Sequence, residues 1–242
     1  MNLTPKQWLE AMGMKQEEVP QLLILEGTWW QKQRNEMRLA YLENVRELDF
    51  PEMHWGTYKD IPVVFCCAYG GPRAVEPVHV FAQVGTPTVI QIGSCGGLQH
   101  EAKTGDIVLP DPAIIGEGAS QYYGGGSASV GTPELIDTLQ GFLRDEGFTT
   151  HRGMHLTCSA LFAQPEGGIE GWRKQGFLSV DMETSAVFTA ANHFGMKSAS
   201  MVFVWDELLR GRTWLDKFPE DETKRQDDAN RFIFEAALKL LD

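Results

Sequence analysis

The sequence predicts an α/β fold: a single domain over residues 1–242 with one mixed β-sheet flanked by helices. Three observations predict it. The chain has 242 residues, of which 43% are hydrophobic and 22% charged, as expected for one large globular domain. Short apolar runs at residues 22–25, 61–67, 88–92, 107–109 and 199–204 have the length and composition of buried strands. Amphipathic stretches alternate with these runs, which is the order of a largely parallel or mixed sheet covered by helices.

Helical spacing and helix-end signals predict the helices. The first is indicated by apolar residues at steps of three, four and seven, namely Trp30, Met37, Tyr41, Val45 and Leu48. Three more are predicted at residues 72–84, 182–194 and roughly 222–241. Gly85 and Gly195 follow the second and third of them, where glycine commonly ends a helix.

Composition limits the partners of the protein. The formal net charge of −12 disfavours nonspecific nucleic-acid binding, which needs clustered Lys and Arg. No apolar run reaches the ~20 residues of a membrane helix. Residues 1–19 lack the basic start and apolar stretch of a signal peptide, so the four cysteines are expected as reduced thiols in the cytoplasm. The six histidines form no ligand pair with a carboxylate at helical spacing, and no metal site is predicted.

Glycine follows three of the predicted strands, in segments 26–31, 68–72 and 93–97. Ligands of such folds usually bind at the carboxyl ends of strands, where glycine lets the backbone approach them closely. Tight turns alone would also explain the glycines. Segment 93–97 offers a hydroxyl and several N–H donors that suit an oxyanion or a sugar hydroxyl, but no Gly-Lys-Ser/Thr follows as in a P-loop.

Carboxylates lie at two further positions of interest. Asp181 and Glu183 are at the predicted start of the third helix, where they either stabilise the helix terminus or bind sugar hydroxyls. Asp206 follows the strand predicted at 199–204, where it either caps the next turn or acts as a general acid.

In this order, the motifs resemble those of the nucleoside phosphorylase superfamily, which includes purine nucleoside phosphorylases, uridine phosphorylases and methylthioadenosine nucleosidases. The resemblance runs from about residue 22 to the C-terminus and rests on segments 70–72, 89–98, 104–108, 179–186 and 204–206. It implies an enzyme that cleaves a nucleoside into free base and ribose 1-phosphate. No cofactor is implied, and phosphate is the co-substrate.

The resemblance also implies a set of substrate-binding residues. These are Tyr69, Gly70, Gln91, Gly93, Ser94, Cys95, Gly96, Phe162, Val180, Asp181, Met182, Glu183 and Trp205. Within this set, Glu183 is expected to bind the ribose hydroxyls and Met182 to pack on the sugar. Asp206 is expected to protonate a purine ring nitrogen, and Arg225 to position Asp206.

The sequence departs from the resemblance at the expected phosphate-or-water site, which comprises Gly27, Gln31 and Ser94. The family places arginines at the positions of Gln31 and Gln91. Because hydrogen bonds to charged groups contribute about 1.5–3 kcal/mol and neutral ones about 1 kcal/mol, two such changes weaken phosphate binding by roughly tenfold to a thousandfold. Arg46 and Arg73 are possible substitutes, although both are better interpreted as ordinary surface or helix residues.

Three functions therefore stay open: purine-type phosphorolysis, hydrolysis by water, and nucleoside binding without turnover. The hydrolytic relatives carry a water-activating glutamate near the position of Gln31, and the nearby Glu26 is expected to point elsewhere. Trp29 and Trp30 indicate either an altered entrance to the site or ordinary core packing. By resemblance, a homo-oligomer is expected, either a dimer or a trimer of dimers.

Overall fold

The computed structural model describes residues 3–160, 162–163, 167–211 and 215–242. Its strands are β1 (Leu22–Gly27), β2 (Glu43–Glu47), β3 (Met53–Tyr58), β4 (Ile61–Cys67), β5 (Thr88–Gly97), β6 (Ile107–Gly116), β7 (Ala128–Ser129), β8 (Thr150–Cys158), β9 (Ser179–Asp181) and β10 (Lys197–Glu207). Its helices are α1 (Pro5–Met12), α2 (Gln31–Leu39), α3 (Gly71–Val84), α4 (Pro133–Asp145), α5 (Gly168–Lys174), α6 (Thr184–Phe194) and α7 (Glu220–Leu238). The predicted α/β class with a mixed sheet is confirmed.

The strands join one sheet in the order β10-β6-β8-β9-β5-β1-β4-β3-β2. An additional parallel pairing of β10 with β5 closes β5, β10, β6, β8 and β9 into a ring. From this ring the sheet continues through the parallel strands β1 and β4 to the antiparallel β3 and β2. The closed ring gathers the ends of β5, β8, β9 and β10 into one place.

Helices cover both faces of the sheet, and each face has its own buried core. One core contains Phe81 of α3 and Val187 of α6. The other contains Phe203 of β10 and Phe234 of α7. Such two-sided burial explains why the central strands are continuous apolar runs rather than alternating patterns.

Local sequence signals place the ends of α3 and α6 as predicted. Pro72 is in the first turn of α3, where its missing N–H is tolerated. Gly85 and Gly195 follow the two helices with φ values of 98° and 73°, the left-handed conformation in which glycine avoids the Cβ clash. The third helix begins at Thr184, two residues later than predicted, because β9 extends to Asp181.

Two local predictions were wrong. The helix predicted through Leu48 ends at Leu39, and the chain continues as β2, an exposed strand paired with β3. Segment 93–97 is not a loop but the second half of β5, paired with β10 along its length. Its glycines serve close packing: a Cβ on Gly93 would lie 3.2 Å from the carbonyl oxygen of Gly27 on the neighbouring β1.

All four cysteines carry free thiols. Within the described ranges, His, Cys, Asp and Glu side chains form no group of three or more suited to a metal ion. None of the described helices is both long and apolar enough to span a membrane.

Candidate functional site

One cavity opens where β1, β5, β9 and β10 end. It is lined by Glu26, Gly27, Thr28, Trp29, Trp30, Arg34, Tyr69, Ser94, Cys95, Gly96, Cys158, Val180, Asp181, Met182, Glu183, Phe203, Trp205, Asp206 and Leu208. The structure thus brings together most of the residues predicted from separate segments of the sequence. The roles of the individual residues stay predictions.

Glu183 lines the cavity and is almost fully buried. Its Oε1 accepts a hydrogen bond from the Gly70 N–H at 2.6 Å. Its other carboxylate oxygen lies against the Cα of Gly27, where a Cβ would overlap it. Burial and the charge of Asp181 raise the pKa of Glu183 to about 8, so this carboxyl is largely protonated at neutral pH.

A buried polar cluster beneath Glu183 fixes the turn between β9 and α6. Asp181 accepts hydrogen bonds from the Thr157 hydroxyl at 2.9 Å and from the Thr184 N–H at 3.0 Å. His155 is fully buried, with Nε2 2.9 Å from Asp181 Oδ1 and Nδ1 2.8 Å from the Ser179 hydroxyl. Burial alone would raise the pKa of Asp181, but the His155 charge and these hydrogen bonds hold it below its usual value.

The contact of His155 with Asp181 was not predicted from the sequence. Because β8 and β9 run parallel with His155 opposite Ser179, the imidazole reaches the end of the neighbouring strand. A lone histidine in an alternating strand carries no sequence signal for this contact.

Asp206 lies near the end of β10, and β10 and β1 pair with opposite edges of β5. The register shifts between Val204 and Asp206, which leaves Trp205 as a bulge in the pairing with β5. Bulges turn side chains away from the regular alternation of a strand. Burial raises the pKa of the Asp206 carboxyl to about 7.

Near the end of β1 lies a buried ion-pair cluster that the sequence did not predict. Arg38 is fully buried, and its guanidinium donates to both oxygens of Glu26, at 2.9 and 3.1 Å, and to Asn230 at 2.8 Å. The Nε of Arg34 lies 3.1 Å from Glu26 Oε1, and its side chain is 12% exposed and lines the cavity. Two guanidinium groups against one carboxylate give this cluster a net positive charge, and the charge of Asp227 also acts on Arg34.

One feature of the sequence could have indicated this cluster. Arg34 and Arg38 are four residues apart, which places them on one face of α2, the helix that follows β1. The expectation that Glu26 points elsewhere was wrong, because its carboxylate lines the cavity. Burial lowers the pKa of Arg34 and the charge of Glu26 counters this effect, and arginine stays charged at neutral pH.

Two glutamines predicted at the site are not on the cavity wall. Gln91 is fully buried on β5, where its carbonyl oxygen accepts from the hydroxyls of Thr184 and Ser200 and its amide donates to the Ile92 carbonyl at 3.3 Å. These bonds occupy the side chain within the protein and away from the cavity lining, and its substrate contact stays a prediction. Gln31 is the first residue of α2 and likewise lies outside the cavity lining of the described chain.

The two substitute arginines considered for phosphate also lie elsewhere. Arg73 pairs with Glu76 at 2.7 Å and donates to the Pro51 carbonyl, and Arg46 pairs with Glu18 at 3.0 Å. Neither lines the cavity. Among the described residues that line the cavity, the cation is instead Arg34.

Arg225 lines a second depression formed with Gly105, Asp106 and residues of α7, whereas Asp206 lines the main cavity. A Cβ on Gly105 would collide with the Cβ of Arg225, which shows how closely α7 packs on the turn before β6. The neighbouring Gln226 donates a hydrogen bond to the Trp205 carbonyl at the end of β10, and the positioning role of Arg225 stays a prediction.

Three other predicted residues border the lining. Gly70 holds Glu183 through its N–H, and Gly93 faces Gly27 across the pairing of β5 with β1. Phe162 is 73% exposed and contacts Trp29 with the ring centroids 5.6 Å apart. Trp29 and Trp30 line the cavity and are about 40% exposed, which excludes the core-packing interpretation.

Comparison with known sequences agrees with this geometry. A sequence profile of the phosphorylase superfamily matches residues 31–241. The purine nucleoside phosphorylase DeoD-type 2 of Vibrio cholerae is 29% identical, covering 83% of this chain and 87% of that one. A guanosine phosphorylase of Halorubrum lacusprofundi is 28% identical over 68% of this chain and 69% of its own. The uridine phosphorylase of Escherichia coli is 25% identical over 74% of this chain and 76% of its own.

Among solved structures, a uridine phosphorylase from Vibrio fischeri superposes with a TM-score of 0.80. It covers 94% of this chain and 93% of its own at 21% identity, a level that establishes the shared fold. The names of these relatives include both purine and uridine phosphorylases, so the comparison does not identify the base of the nucleoside.

Proposed function

This chain belongs to the phosphorylase superfamily, and we propose that it cleaves the N-glycosidic bond of a purine-type nucleoside by phosphorolysis. The observation that carries the proposal is one cavity with three separate polar centres. These are the acid Asp206, the buried carboxyl of Glu183 and the cation Arg34. Phosphate is the co-substrate, and free base and a sugar 1-phosphate are the products.

Asp206 fits the role of general acid. Cleavage of the bond develops positive charge on the sugar and negative charge on the departing base, and protonation makes the base a better leaving group. With a pKa of about 7, the Asp206 carboxyl is partly protonated at neutral pH and can donate. A purine ring nitrogen is the natural acceptor, which is why we favour a purine.

Glu183 fits the role of sugar anchor. Its buried carboxyl is held by the Gly70 N–H and by contact with Gly27, so its position is fixed before the sugar arrives. Two neighbouring hydroxyls of a ribose can share one carboxyl, and this holds the anomeric carbon in place for attack. Met182 lines the same wall and offers its thioether chain for packing against the sugar ring.

Arg34 fits the role of phosphate anchor in place of the two missing arginines. It lines the same cavity as Gly27, Thr28 and Ser94, whose N–H and hydroxyl groups are neutral donors. The net positive charge of the Glu26, Arg34 and Arg38 cluster favours an anion here. Because Arg34 shares Glu26 with Arg38, it can turn toward phosphate without leaving that carboxylate unpaired.

The same cluster weighs against hydrolysis. A water-activating base needs a free carboxylate near the sugar, and among the described residues the carboxylate beside Arg34 is Glu26. Both of its oxygens are engaged by guanidinium groups at 2.9–3.1 Å. We therefore place phosphorolysis ahead of hydrolysis.

The proposal is tested by incubating the purified protein with inosine, guanosine, adenosine and uridine, with and without phosphate, and measuring free base by chromatography. We expect base release from a purine nucleoside that depends on phosphate and is matched by sugar 1-phosphate. Equal release without phosphate would establish hydrolysis. Binding of a nucleoside without release of any base would establish a binding protein.

Replacing Arg34 tests the phosphate end directly. We expect Arg34→Gln to raise the KM for phosphate by roughly tenfold to a hundredfold, because a charge-assisted bond becomes a neutral one. The KM for the nucleoside should change much less. Arg73→Gln is the matched control, since Arg73 lies outside the cavity. An unchanged phosphate KM in Arg34→Gln would remove Arg34 from this role.

Replacing Gly27 tests the sugar anchor. The methyl group in Gly27→Ala would occupy the place of the Glu183 carboxyl and displace it. We expect nucleoside affinity, measured by calorimetry, to fall roughly tenfold or more through loss of the sugar hydrogen bonds. Gly126→Ala is the control, because a Cβ there meets open space. Equal affinity in both variants would show that Glu183 does not bind the sugar.

A homo-oligomeric assembly and a cytoplasmic location stay predictions, as do the roles of the other lining residues.

A further inference from the structure

We propose that Glu117 is a positioning residue for the sugar anchor, because it holds the starts of α3 and α6 at the separation that Glu183 needs to meet a ribose. Glu117 lies outside the cavity lining and was not predicted from the sequence. The inference rests on the proposed role of Glu183. It adds a residue that touches no substrate and acts only through the placement of the anchor.

Glu117 is a buried carboxylate, 6% exposed, and each of its oxygens accepts two hydrogen bonds from neutral donors. Oε2 accepts from the N–H groups of Ala119 and Ser120, the latter at 3.2 Å. Oε1 accepts from the hydroxyls of Ser120 and Ser185, the latter at 3.1 Å. Since burial removes the hydration of a carboxylate, these bonds replace it and fix the position of the group.

The Glu117 carboxylate lies between the first turns of two helices. The Ser185 hydroxyl bonds it to α6, which begins at Thr184. On the other side, its Oε2 packs against Gly71, the first residue of α3, where a Cβ would be 3.1 Å from this oxygen. Helix N-termini carry partial positive charge, so both helices favour an acidic side chain at this position.

The same two helix starts carry the two halves of the sugar anchor. Glu183 directly precedes α6, and Gly70, whose N–H holds the Glu183 Oε1 at 2.6 Å, directly precedes α3. That bond therefore depends on the separation of the two starts. The helices also meet directly at Gly71, where a Cβ would lie 3.3 Å from the Cβ of Ala186. Glu117 is thus placed where it sets the separation on which the anchor depends.

A misplaced anchor has a signature that general destabilisation lacks. Hydrogen bonds weaken steeply when their geometry is distorted, so a shift of about 1 Å in either helix start would weaken the bonds to the sugar hydroxyls and leave contacts with the base in place. Inosine and 2′,3′-dideoxyinosine differ only in those hydroxyls. Calorimetry without phosphate gives both dissociation constants. We expect the unmodified protein to prefer inosine roughly tenfold or more.

Variants connect this preference to Glu117. Glu117→Ala and Ser185→Ala should each reduce it, the former by about fivefold or more, while the affinity for 2′,3′-dideoxyinosine changes less than about twofold. Glu117→Gln should keep most of the preference, because its carbonyl oxygen can accept from the two N–H groups and its amide can donate to the two hydroxyls. Ser129→Ala is the matched control and should keep the preference, because this buried hydroxyl accepts from Asn192 at the far end of α6, at 3.2 Å.

Circular dichroism and thermal melting establish that each variant is folded. If Glu117→Ala does not fold, Ser185→Ala is judged by the same ratio. A preference retained in the folded variants would overturn the proposal. So would an equal loss of affinity for both nucleosides, which is what a purely structural role produces. A loss in Glu117→Gln as large as in Glu117→Ala would also overturn it, because charge rather than position would then matter.

Failure of the proposed function gives a different result. Absence of any preference for inosine in the unmodified protein would overturn the sugar anchor itself, and this proposal with it. Because binding is measured without bond cleavage, failure of the proposed reaction alone leaves the test intact.

Discussion

The Asp206→Asn variant is expected to lose roughly a hundredfold to ten-thousandfold in kcat with a purine nucleoside, the usual contribution of a general acid. The amide keeps the shape of the carboxyl but has no acidic proton for the departing base. The KM should change less, because the sugar and phosphate anchors stay in place. Steady-state kinetics with inosine and saturating phosphate measure both constants. Asp145→Asn, the same change on the exposed end of α4, should behave as the unmodified protein.

The dependence of the rate on pH gives this prediction a second readout. Asp206 donates only when protonated, and its pKa is about 7. The kcat/KM of the unmodified protein should therefore fall about tenfold per pH unit above that value. Asp206→Asn should lack this decline. Activity within a fewfold of the unmodified protein, with the decline retained, would exclude Asp206 as the acid.

The same titration affects stability. The folded-state pKa of Asp206 lies above its usual value of 3.8, so folding binds its proton more tightly. Its contribution is fully present below the unfolded pKa and is lost as the pH rises through about 7. Asp206→Asn should accordingly gain stability relative to the unmodified protein as the pH rises from 4 to 8.

Arg38→Met is expected to cost about 3–5 kcal/mol in the free energy of unfolding, the largest stability effect that we predict. Arg38 is fully buried, and its removal deprives Glu26 of two hydrogen bonds and leaves the Asn230 carbonyl without its guanidinium partner. Methionine fills similar volume, so lost packing contributes little. Urea unfolding followed by circular dichroism measures the change.

Two further variants separate the buried charge from packing. Glu26→Gln/Arg38→Met also removes the carboxylate that lost its Arg38 partner, and we expect it to be less destabilised than the sum of its single changes. Arg173→Met breaks an exposed pair with Glu170 at 2.7 Å and should cost far less stability than Arg38→Met, because solvent screens the exposed pair. Equal effects of Arg38→Met and Arg173→Met would show that the cluster does not stabilise the fold.

The strands of the central sheet were predictable because burial on both faces makes them continuous apolar runs. The strand β2 was not, because its residues are mostly exposed and show no alternation. Its Val45 fell by coincidence into the helical spacing that begins at Trp30. Asn44 adopts a φ of 54°, which is incompatible with a right-handed helix. An asparagine among polar residues does not by itself predict this conformation.

The sequence predicted residues that lie in short motifs at the ends of strands. It did not predict contacts between segments that are distant in the sequence. Glu183, Asp206 and Ser94 carry local motifs and line the cavity. The pairing of Glu26 with Arg34 and Arg38 depends on how α2 packs, and that of His155 with Asp181 on strand register. Gln91 was predicted to bind substrate from its position in a motif. Its side chain on β5 instead hydrogen bonds to Thr184 inside the protein.

The ring that gathers the site has a consequence for self-association. Strands within it have neighbours on both sides, so in the described residues β2 is left as the long unpaired edge of the sheet. That edge bears Glu43, Arg46 and Glu47 and is interrupted by a register shift. Charged, irregular edges resist the addition of a strand from another molecule. Crowded copies of this chain are therefore poorly suited to growing into fibrils by continuing the sheet.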